Sequence, residues 1–441
     1  MLPIKMNDWT FVTAFYHLPK YGGQLQTGGY SPDKYFEWGE FVLNLDVNLV
    51  IYCDEEYYDK FQALRCNLST KTKVIKYSLN ELLFYSYREK IESNRQTIMS
   101  CADPRNSVNY FILTCSKFLL VEKTIQNNYF PSEDQYYAWI DFGLGKNGTQ
   151  QTSWIHEIIS TKRQKVSFCY IDYTPINIMN NYKEYYKFGR CGTAGGFFTG
   201  AGKYLLKVCE LLKQQFIDTV EAGYGHAEEQ LIPVVYNKHQ DLFEFYFGDY
   251  NFLLSNYKYT RNHTSQIIQR LCTKSRMDSN HDLCQQVCRR LLNDNQNGYA
   301  EMSITEHLQV IDDYFISSYY LNDMESCLNS FALLENLRNR DPNEFNKFFK
   351  VQHLINNTDF FWYKKPHPKI AIVNITTSIR DPIVTQLINY LLENTYKIFI
   401  FSDEDNNYDS LIFHNPVIRN KNLRNKIKFD HFYEIDITNN V

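Results

Sequence analysis

The first 260 residues alternate between short apolar runs typical of strands and amphipathic stretches typical of helices. Residues 9–15 and 47–53 are runs of β-branched and aromatic side chains. A helix is predicted over residues 32–44, because Ser31 is a good N-cap and proline suits the first helical position. Alternation of this kind predicts a mainly parallel sheet with helices on both of its faces.

The same two patterns continue along the rest of this region. They predict further strands over residues 72–77, 136–143, 165–171 and 242–246, and further helices over residues 55–65, 107–127, 153–161, 202–220 and 228–238.

The charge and the apolar content exclude two classes of protein. Lys and Arg number 46 against 50 Asp and Glu, which gives a net charge of -4 and makes nucleic acid an unlikely main partner. No stretch offers the roughly 18 apolar residues of a membrane span, and residues 1–8 lack a secretory pattern. We therefore expect a cytoplasmic protein, in the cytoplasm of a host cell if the gene is viral.

The pattern changes after residue 262. Residues 263–366 are mainly helical, and residues 312–337 predict two antiparallel helices joined near Asn322, similar to a tetratricopeptide hairpin that binds a protein partner. The tail, residues 367–441, returns to α/β, with strands over 369–375 and 397–401 around a helix over 381–394. We therefore predict three domains, over residues 1–262, 263–366 and 367–441.

Asp141 is the first candidate site residue. It follows an apolar run and precedes Gly143, which predicts a carboxylate presented at the end of a strand. A divalent cation bound to a diphosphate needs one or two such oxygens, since phosphate and water supply the others. The pattern alone also fits, and favours, a turn in which the carboxylate accepts hydrogen bonds from nearby backbone amides.

A glycine-rich stretch and an acidic pair are the next candidates. Residues 192–200 contain four glycines, which predict either an ordinary loop or a loop whose backbone contacts a ligand, with Phe197 and Phe198 stacking on a sugar. Glu228 and Glu229 begin a predicted helix, where the helix dipole stabilises an anion that can act as a base. Capping of the helix is the simpler interpretation of these two acids.

Two other motifs suggest different chemistry. Residues 143–148 read GLGKNG, a GxGxxG pattern after a strand that is typical of a nicotinamide or flavin site. The helix that follows is short, and Asp172 lies further on than such a fold requires. His281, Cys284 and Cys288 share one predicted helix face, with Cys272 as a fourth candidate zinc ligand, but buried helix cysteines are the commoner explanation.

Several short motifs, in order, resemble those of one known family. They are a strand at residues 11–15, another at 50–52 followed by an acid, Asn109-Tyr110, Lys117, Trp-Ile-Asp-Phe-Gly at 139–143, Gly-Gly-Phe at 195–197, Glu-Glu-Gln at 228–230, and residues 247–257. In these respects the first 260 residues resemble the HtrL/YibB (WlaTC/HtrL) family of inferred glycosyltransferases.

The resemblance implies a GT-A-type nucleotide-sugar-binding domain with a metal-binding acid. On this basis Asp141 and His263 are the expected ligands of a divalent metal, Mn²⁺ or Mg²⁺, and Glu228 or Glu229 is the expected catalytic carboxylate. The expected donor-binding residues are Thr13, Ala14, Phe15, Asp54, Lys117, Trp139, Asp141, Gly143, Gly195, Gly196 and Phe197. A single Asp stands where many GT-A enzymes have Asp-x-Asp, which leaves metal dependence open.

The function that we expect is transfer of a sugar from a nucleotide-diphosphate donor to a hydroxyl group on a glycan or protein. A non-catalytic module that binds carbohydrate or protein is the alternative, with the helical hairpin as its working surface. An NAD(P)-dependent oxidoreductase is a weaker alternative, which depends on the GxGxxG pattern alone.

Overall fold

The computed structural model describes residues 8–21, 30–95, 107–133, 135–148, 150–187, 192–225 and 227–340, and the backbone of three later strands. The chain forms two compact units. The first comprises Met1–Asp278 and Asn293–Glu301, and the second comprises Ser279–Leu292 and Met302–Val441. The prediction of three domains is not tested by this division and stays a prediction.

The first unit is built on a seven-stranded sheet. Its strands are β1 (Trp9–Phe15), β2 (Asn48–Cys53), β3 (Thr72–Lys76), β4 (Tyr136–Ile140), β5 (Ser167–Tyr170), β6 (Thr193–Ala201) and β7 (Tyr246–Phe247). Their order across the sheet is β3-β2-β1-β4-β6-β5-β7. Only β6 runs antiparallel to its neighbours within this sheet, so the prediction of a mainly parallel sheet is confirmed.

Helices lie between and after these strands. They are α1 (Pro32–Leu43), α2 (Glu55–Leu64), α3 (Arg88–Arg95), α4 (Val108–Asn127), α5 (Thr152–Thr161), α6 (Ile176–Asn180), α7 (Tyr182–Lys187), α8 (Gly202–Glu221), α9 (Glu228–Lys238), α10 (Thr264–Ile267) and α11 (Lys274–Met277). A π-helical turn, Ile268–Thr273, joins α10 to α11.

Alternate residues of each strand enter different cores. In β1, Val12 packs in the core that α4, α8 and α9 cover, whereas Phe11 packs in the core that α1, α2 and α5 cover. Side chains of a strand point alternately to opposite faces, so two apolar faces require helices on both sides. The predicted mixed α/β architecture with helices on both faces is confirmed for this unit.

Caps and turns set several of these elements. The Ser31 hydroxyl accepts a hydrogen bond from the Lys34 amide at the start of α1, as predicted. Ser107 caps α4 in the same way, with the Tyr110 amide as donor. The bounds of the strand predicted over residues 242–246 are corrected: Gln240–Leu242 is a 3-10 turn, Phe243 forms an isolated parallel bridge with Val166, and Tyr246–Phe247 pairs with β5.

The second unit contains most of α12 (His281–Gln296), together with α13 (Ile304–Tyr320) and α14 (Met324–Arg340). The predicted hairpin near Asn322 is present: the Tyr314 hydroxyl donates to Ser326 Oγ at 2.9 Å across α13 and α14. Nothing in this single hairpin tests its likeness to a tetratricopeptide repeat, so that part stays a prediction.

The tail of the second unit contributes a three-stranded sheet in the order β10-β9-β8. Its strands are β8 (Phe360–Lys365), β9 (Ile370–Ile375) and β10 (Lys397–Ser402). Strands β9 and β10 are parallel, as the predicted βαβ unit requires, whereas β8 was not predicted. The helix predicted over 381–394 lies outside the described residues. Within the described part of the chain, no helix is long and apolar enough to cross a bilayer.

Candidate functional site

The carboxyl ends of β1, β2 and β4 meet at one edge of the large sheet, because these strands are parallel neighbours. Asp54 follows β2 and Asp141 follows β4 at this edge. Strand β6 runs the other way, so its first residues reach the same edge. The Asp141 amide donates a hydrogen bond to the Gly196 carbonyl at 2.9 Å, which joins the acid to the glycine pair.

The Asp141 carboxylate lies at the rim, with 37% of its side chain exposed. Its Oδ1 accepts a hydrogen bond from Trp139 Nε1 at 2.7 Å and contacts Lys117 Nζ at 2.9 Å. Lys117 Nζ also donates to Oδ2, at 3.2 Å. Asp141 is therefore fixed by side chains, instead of serving only to close the turn that follows β4.

Lys117 lies at the centre of the site and comes from α4. Its ammonium group donates to Asp141, to Glu228 Oε1 at 2.7 Å and to the Gly195 carbonyl at 3.1 Å. Only 7% of its side chain is exposed. Burial alone lowers the pKa of Lys117, but the Asp141 and Glu228 carboxylates outweigh it, so the pKa is raised and the ammonium stays charged.

The acidic pair belongs to the first turn of α9, as predicted, and its two members have different surroundings. Glu228 is 2% exposed and its Oε1 forms an ion pair with Lys117. Its Oε2 is buried and has no hydrogen-bond partner among the described atoms. Glu228 is thus an interior carboxylate with one charged partner.

Glu229 is partly exposed and is held by two donors. The Gly195 amide donates to its Oε1 at 3.1 Å, and the Tyr250 hydroxyl donates to its Oε2 at 2.8 Å. Burial and then the negative charge of Glu228 raise the pKa of Glu229 from 4.5 to about 7. A carboxylate with this pKa can take up a proton near neutral pH. We call Lys117, Asp141, Glu228 and Glu229 the carboxylate cluster.

The glycine-rich stretch is a strand, which corrects the prediction of a loop. Gly195 and Gly196 lie inside β6. A Cβ atom on Gly195 would lie 1.9 Å from Glu228 Oε1, so a side chain there is excluded by the buried acid. Phe197 and Phe198 are fully buried, which corrects the expectation that both stack on a sugar. Phe197 packs edge-on against Tyr257 instead, with ring centroids 5.9 Å apart.

The expected nucleotide side of the site lies around Asp54. This residue is 1% exposed, and the Tyr21 hydroxyl donates a hydrogen bond to its Oδ1. Burial raises the pKa of Asp54 above its ordinary value. Thr13 and Phe15 are buried in β1, whereas Ala14 is partly exposed. The structure therefore places Asp54 at the predicted edge but beneath Tyr21.

The two expected metal ligands have different partners. Asp141 Oδ2, the less engaged oxygen, fits a cation whose remaining ligands are phosphate and water. His263 forms a pair with Asp249, with 3.7 Å between Nδ1 and Oδ2, and its ring contacts Phe252. Across the described residues, no group of three or more His, Cys, Asp or Glu side chains is arranged to hold a metal.

The GxGxxG interpretation does not match the sheet. A dinucleotide fold needs the strands before and after the glycine motif to be parallel neighbours, but β6 lies between β4 and β5 and is antiparallel to both. Gly145 packs against the backbone of Trp38, where a Cβ atom would lie 2.4 Å from the carbonyl oxygen. Gly143 lies beside the Tyr35 ring, and Asp172 pairs with Lys274.

The zinc interpretation also lacks support. Cys284 and Cys288 are fully buried in α12, with 3.9 Å between their sulfur atoms, and Cys284 also donates to the Asp313 carbonyl. The His281 ring stacks on Tyr320. These contacts are those of packed helix residues.

Two tyrosines near the acids were not predicted as site residues. Tyr250 donates to Glu229, and Tyr110 lies close enough to Glu228 and Glu229 that burial and then their charges raise its pKa well above the ordinary value. Both belong to the short motifs quoted for the family resemblance. That membership was the available signal, because neither tyrosine follows a strand directly.

Comparison with known proteins identifies the family of this chain. The model of a family described as "bacterial protein of unknown function (HtrL_YibB)" matches residues 7–258, more than half of the 441-residue chain. The chain belongs to the HtrL_YibB family. No curated protein matches it. Similar solved structures include mouse xyloside xylosyltransferase 1 in its apo form, with a TM-score of 0.31 and 13% sequence identity, covering 54% of this chain and 84% of that chain.

The HtrL_YibB match contains the whole carboxylate cluster and both tyrosines, and it ends before His263. It also ends before α10 and the whole second unit. The resemblance inferred from the short motifs is therefore confirmed at the level of the family, whose function is unknown.

Proposed function

We propose that this HtrL_YibB protein is a GT-A-like glycosyltransferase that moves a sugar from a nucleotide-diphosphate donor to a hydroxyl group of a glycan or protein. The observation that carries the proposal is Glu229. It is a partly exposed carboxylate held by two hydrogen-bond donors at the carboxyl edge of the sheet, and burial and the charge of Glu228 raise its pKa to about 7. Open parallel sheets bind their ligands at this edge. The substrate class comes from the resemblance of the motifs.

In the proposed reaction Glu229 accepts the proton of the acceptor hydroxyl group. The acceptor oxygen forms a bond to the anomeric carbon of the donor sugar, and the bond between that carbon and the diphosphate oxygen breaks. The nucleoside diphosphate leaves with the electron pair of that bond. A base whose pKa lies near the working pH is suited to this step, since it is both deprotonated and basic enough.

The leaving diphosphate requires positive charge. Within the carboxylate cluster one ammonium faces the carboxylates of Asp141 and Glu228, so these three groups carry a net charge of -1 before Glu229 is counted. This balance favours an added divalent cation, for which Asp141 Oδ2 is the suited protein ligand. When bound, such a cation would neutralise the diphosphate. We propose His263 only as a second ligand, because it already pairs with Asp249.

The proposal is tested with a panel of UDP-, GDP- and CMP-sugars, each with and without Mn²⁺, by measuring donor binding and nucleotide release. In Glu229→Gln the side chain keeps its shape but cannot accept a proton. We expect nucleotide release to fall by on the order of 100-fold or more, with donor binding retained.

Glu89→Gln, an exposed acid on α3, is the control and should behave as the unchanged protein. Full turnover in Glu229→Gln contradicts the assigned role of Glu229. Donor binding without turnover in the unchanged protein would instead favour the non-catalytic binding module.

A further inference from the structure

We infer that Lys117 and Glu228 form a buried positioning pair for Glu229, and that Lys117 does not bind the donor. This inference rests on the proposed function, because it assigns a division of roles within the same site. It replaces the expectation that Lys117 contacts the nucleotide sugar. It also distinguishes between the two acids that the resemblance offered as the catalytic carboxylate.

Acceptors of the protein itself use all three hydrogen-bond donors of Lys117. An ammonium group has three N–H donors, and here they meet three protein acceptors: Asp141, Glu228 Oε1 and the Gly195 carbonyl. Since its side chain is only 7% exposed, a phosphate could bind Lys117 only by displacing one of these acceptors. Lys117 therefore acts on the interior of the site.

Gly195 connects this interior pair to the base. Its carbonyl accepts from Lys117, and its amide donates to Glu229 Oε1 at 3.1 Å. The Glu228 carboxylate occupies the space that a side chain at position 195 would fill. The position of Glu229 thus depends on a backbone that Lys117 and Glu228 hold from the other side.

The charged and polar groups around Glu229 influence its pKa. The groups that face it are Glu228 from the same helix, Lys117 from α4, and the Tyr250 and Tyr110 hydroxyls. The negative charge of Glu228 raises the pKa of Glu229, and the hydrogen bonds from Tyr250 and Gly195 and the charge of Lys117 lower it. Removing the charge of Glu228 alone must therefore lower the pKa of Glu229.

Two variants test the pair by the pH profile and by donor affinity. Glu228→Gln keeps the volume of the side chain, and we expect the acid limb of the pH–rate profile to move down by on the order of one pH unit. Lys117→Met combined with Glu228→Gln removes both charges, which avoids leaving one buried charge unpaired. We expect this double variant to bind the donor within about threefold of Glu228→Gln, because no donor contact is lost.

A tenfold loss of donor affinity in the double variant relative to Glu228→Gln, of the same size with and without Mn²⁺, would show that Lys117 binds the donor directly and not through Asp141 and its cation. An unmoved acid limb in Glu228→Gln would show that Glu228 does not act on the base. Either result overturns the inference.

The pH dependence of unfolding gives a readout that needs no substrate. The pKa of Glu229 is higher in the folded chain than its ordinary value of 4.5, so the folded state binds the extra proton between pH 4.5 and about 7. Stability from this proton is fully present below pH 4.5 and is lost as the pH rises to about 7.

Glu229→Gln should remove this pH-dependent loss of stability. Glu228→Gln should lower the pH at which the loss is complete. If no donor binds but these pH shifts appear, the proposed function fails and the positioning pair stands. If a donor is turned over but the unfolding of Glu228→Gln shows the pH dependence of the unchanged protein, the inference about the pair fails alone.

Discussion

Gly195→Ala is the substitution that best tests how the site is packed. The new Cβ atom would lie 1.9 Å from Glu228 Oε1 and 2.6 Å from Glu228 Cδ. To reach ordinary contact distance the carboxylate must move by roughly 1.5 Å, and its 2.7 Å ion pair with Lys117 would then break. Breaking a buried ion pair costs about 3–5 kcal/mol, so we expect a loss of stability of about that size.

Urea denaturation measures this loss, with Gly196→Ala as the matched control. At Gly196 the nearest atom to an added Cβ is Leu253 Cδ1 at 3.0 Å, the end of a flexible side chain, and the next is Asp141 Oδ2 at 3.5 Å. We expect Gly196→Ala to cost no more than about 1 kcal/mol. The effect of Gly195→Ala should also largely disappear when Glu228 is already Ala, since the clash is then absent. A Gly195→Ala protein as stable as Gly196→Ala would refute the close packing of Gly195 against Glu228.

Two further predictions concern stability away from the site. Arg65 is 1% exposed and donates to the carbonyls of Leu43, Leu45 and Val47. Arg65→Met should therefore lower the free energy of unfolding, measured in urea, by about 3 kcal/mol. A loss below about 1 kcal/mol would contradict this role. A strong zinc chelator should leave the melting temperature unchanged, because the candidate ligands Cys284 and Cys288 are fully buried and packed within α12; a drop of several degrees in a thermal-shift assay would contradict this.

Periodicity and capping predicted most of the large sheet because each strand carries its own local signal. Ser31 and Ser107 accept hydrogen bonds from the first turns of α1 and α4, and such caps depend on only three or four neighbouring residues. The alternating apolar side chains of β1 likewise specify two buried faces without reference to the rest of the chain. Elements of this kind can be predicted from sequence.

Strand β6 could not be predicted in this way. Glycine weakens a strand by itself, so four glycines in nine residues indicate a loop. Tertiary packing explains why glycine is needed at two of these positions. Glu228 fills the space beside Gly195, and Gly200 packs against Leu205 and the backbone of Val166. Strand β8 (Phe360–Lys365) is likewise absent from the predicted elements.

The sequence also could not predict that Glu228 and Glu229 have different surroundings. The two acids are adjacent in the first turn of α9, so dipole and capping arguments apply equally to both. Packing of α9 on β6 turns one carboxylate towards Lys117 and leaves the other with Gly195 and Tyr250. Only the partners from distant parts of the chain distinguish the buried counter-ion of Lys117, Glu228, from the proposed base, Glu229.

The charges around Asp141 are a stronger argument for a bound cation than its position at the end of a strand. Position alone suggested a metal ligand, because Asp141 follows a strand at the rim. The structure adds that the Lys117 ammonium already compensates two carboxylates and has no donor left to offer. A diphosphate placed there would meet a net negative charge, which repels it unless a cation arrives with it. Lys117 and an added cation would then have separate tasks, since Lys117 holds the acids and the cation would neutralise the leaving group.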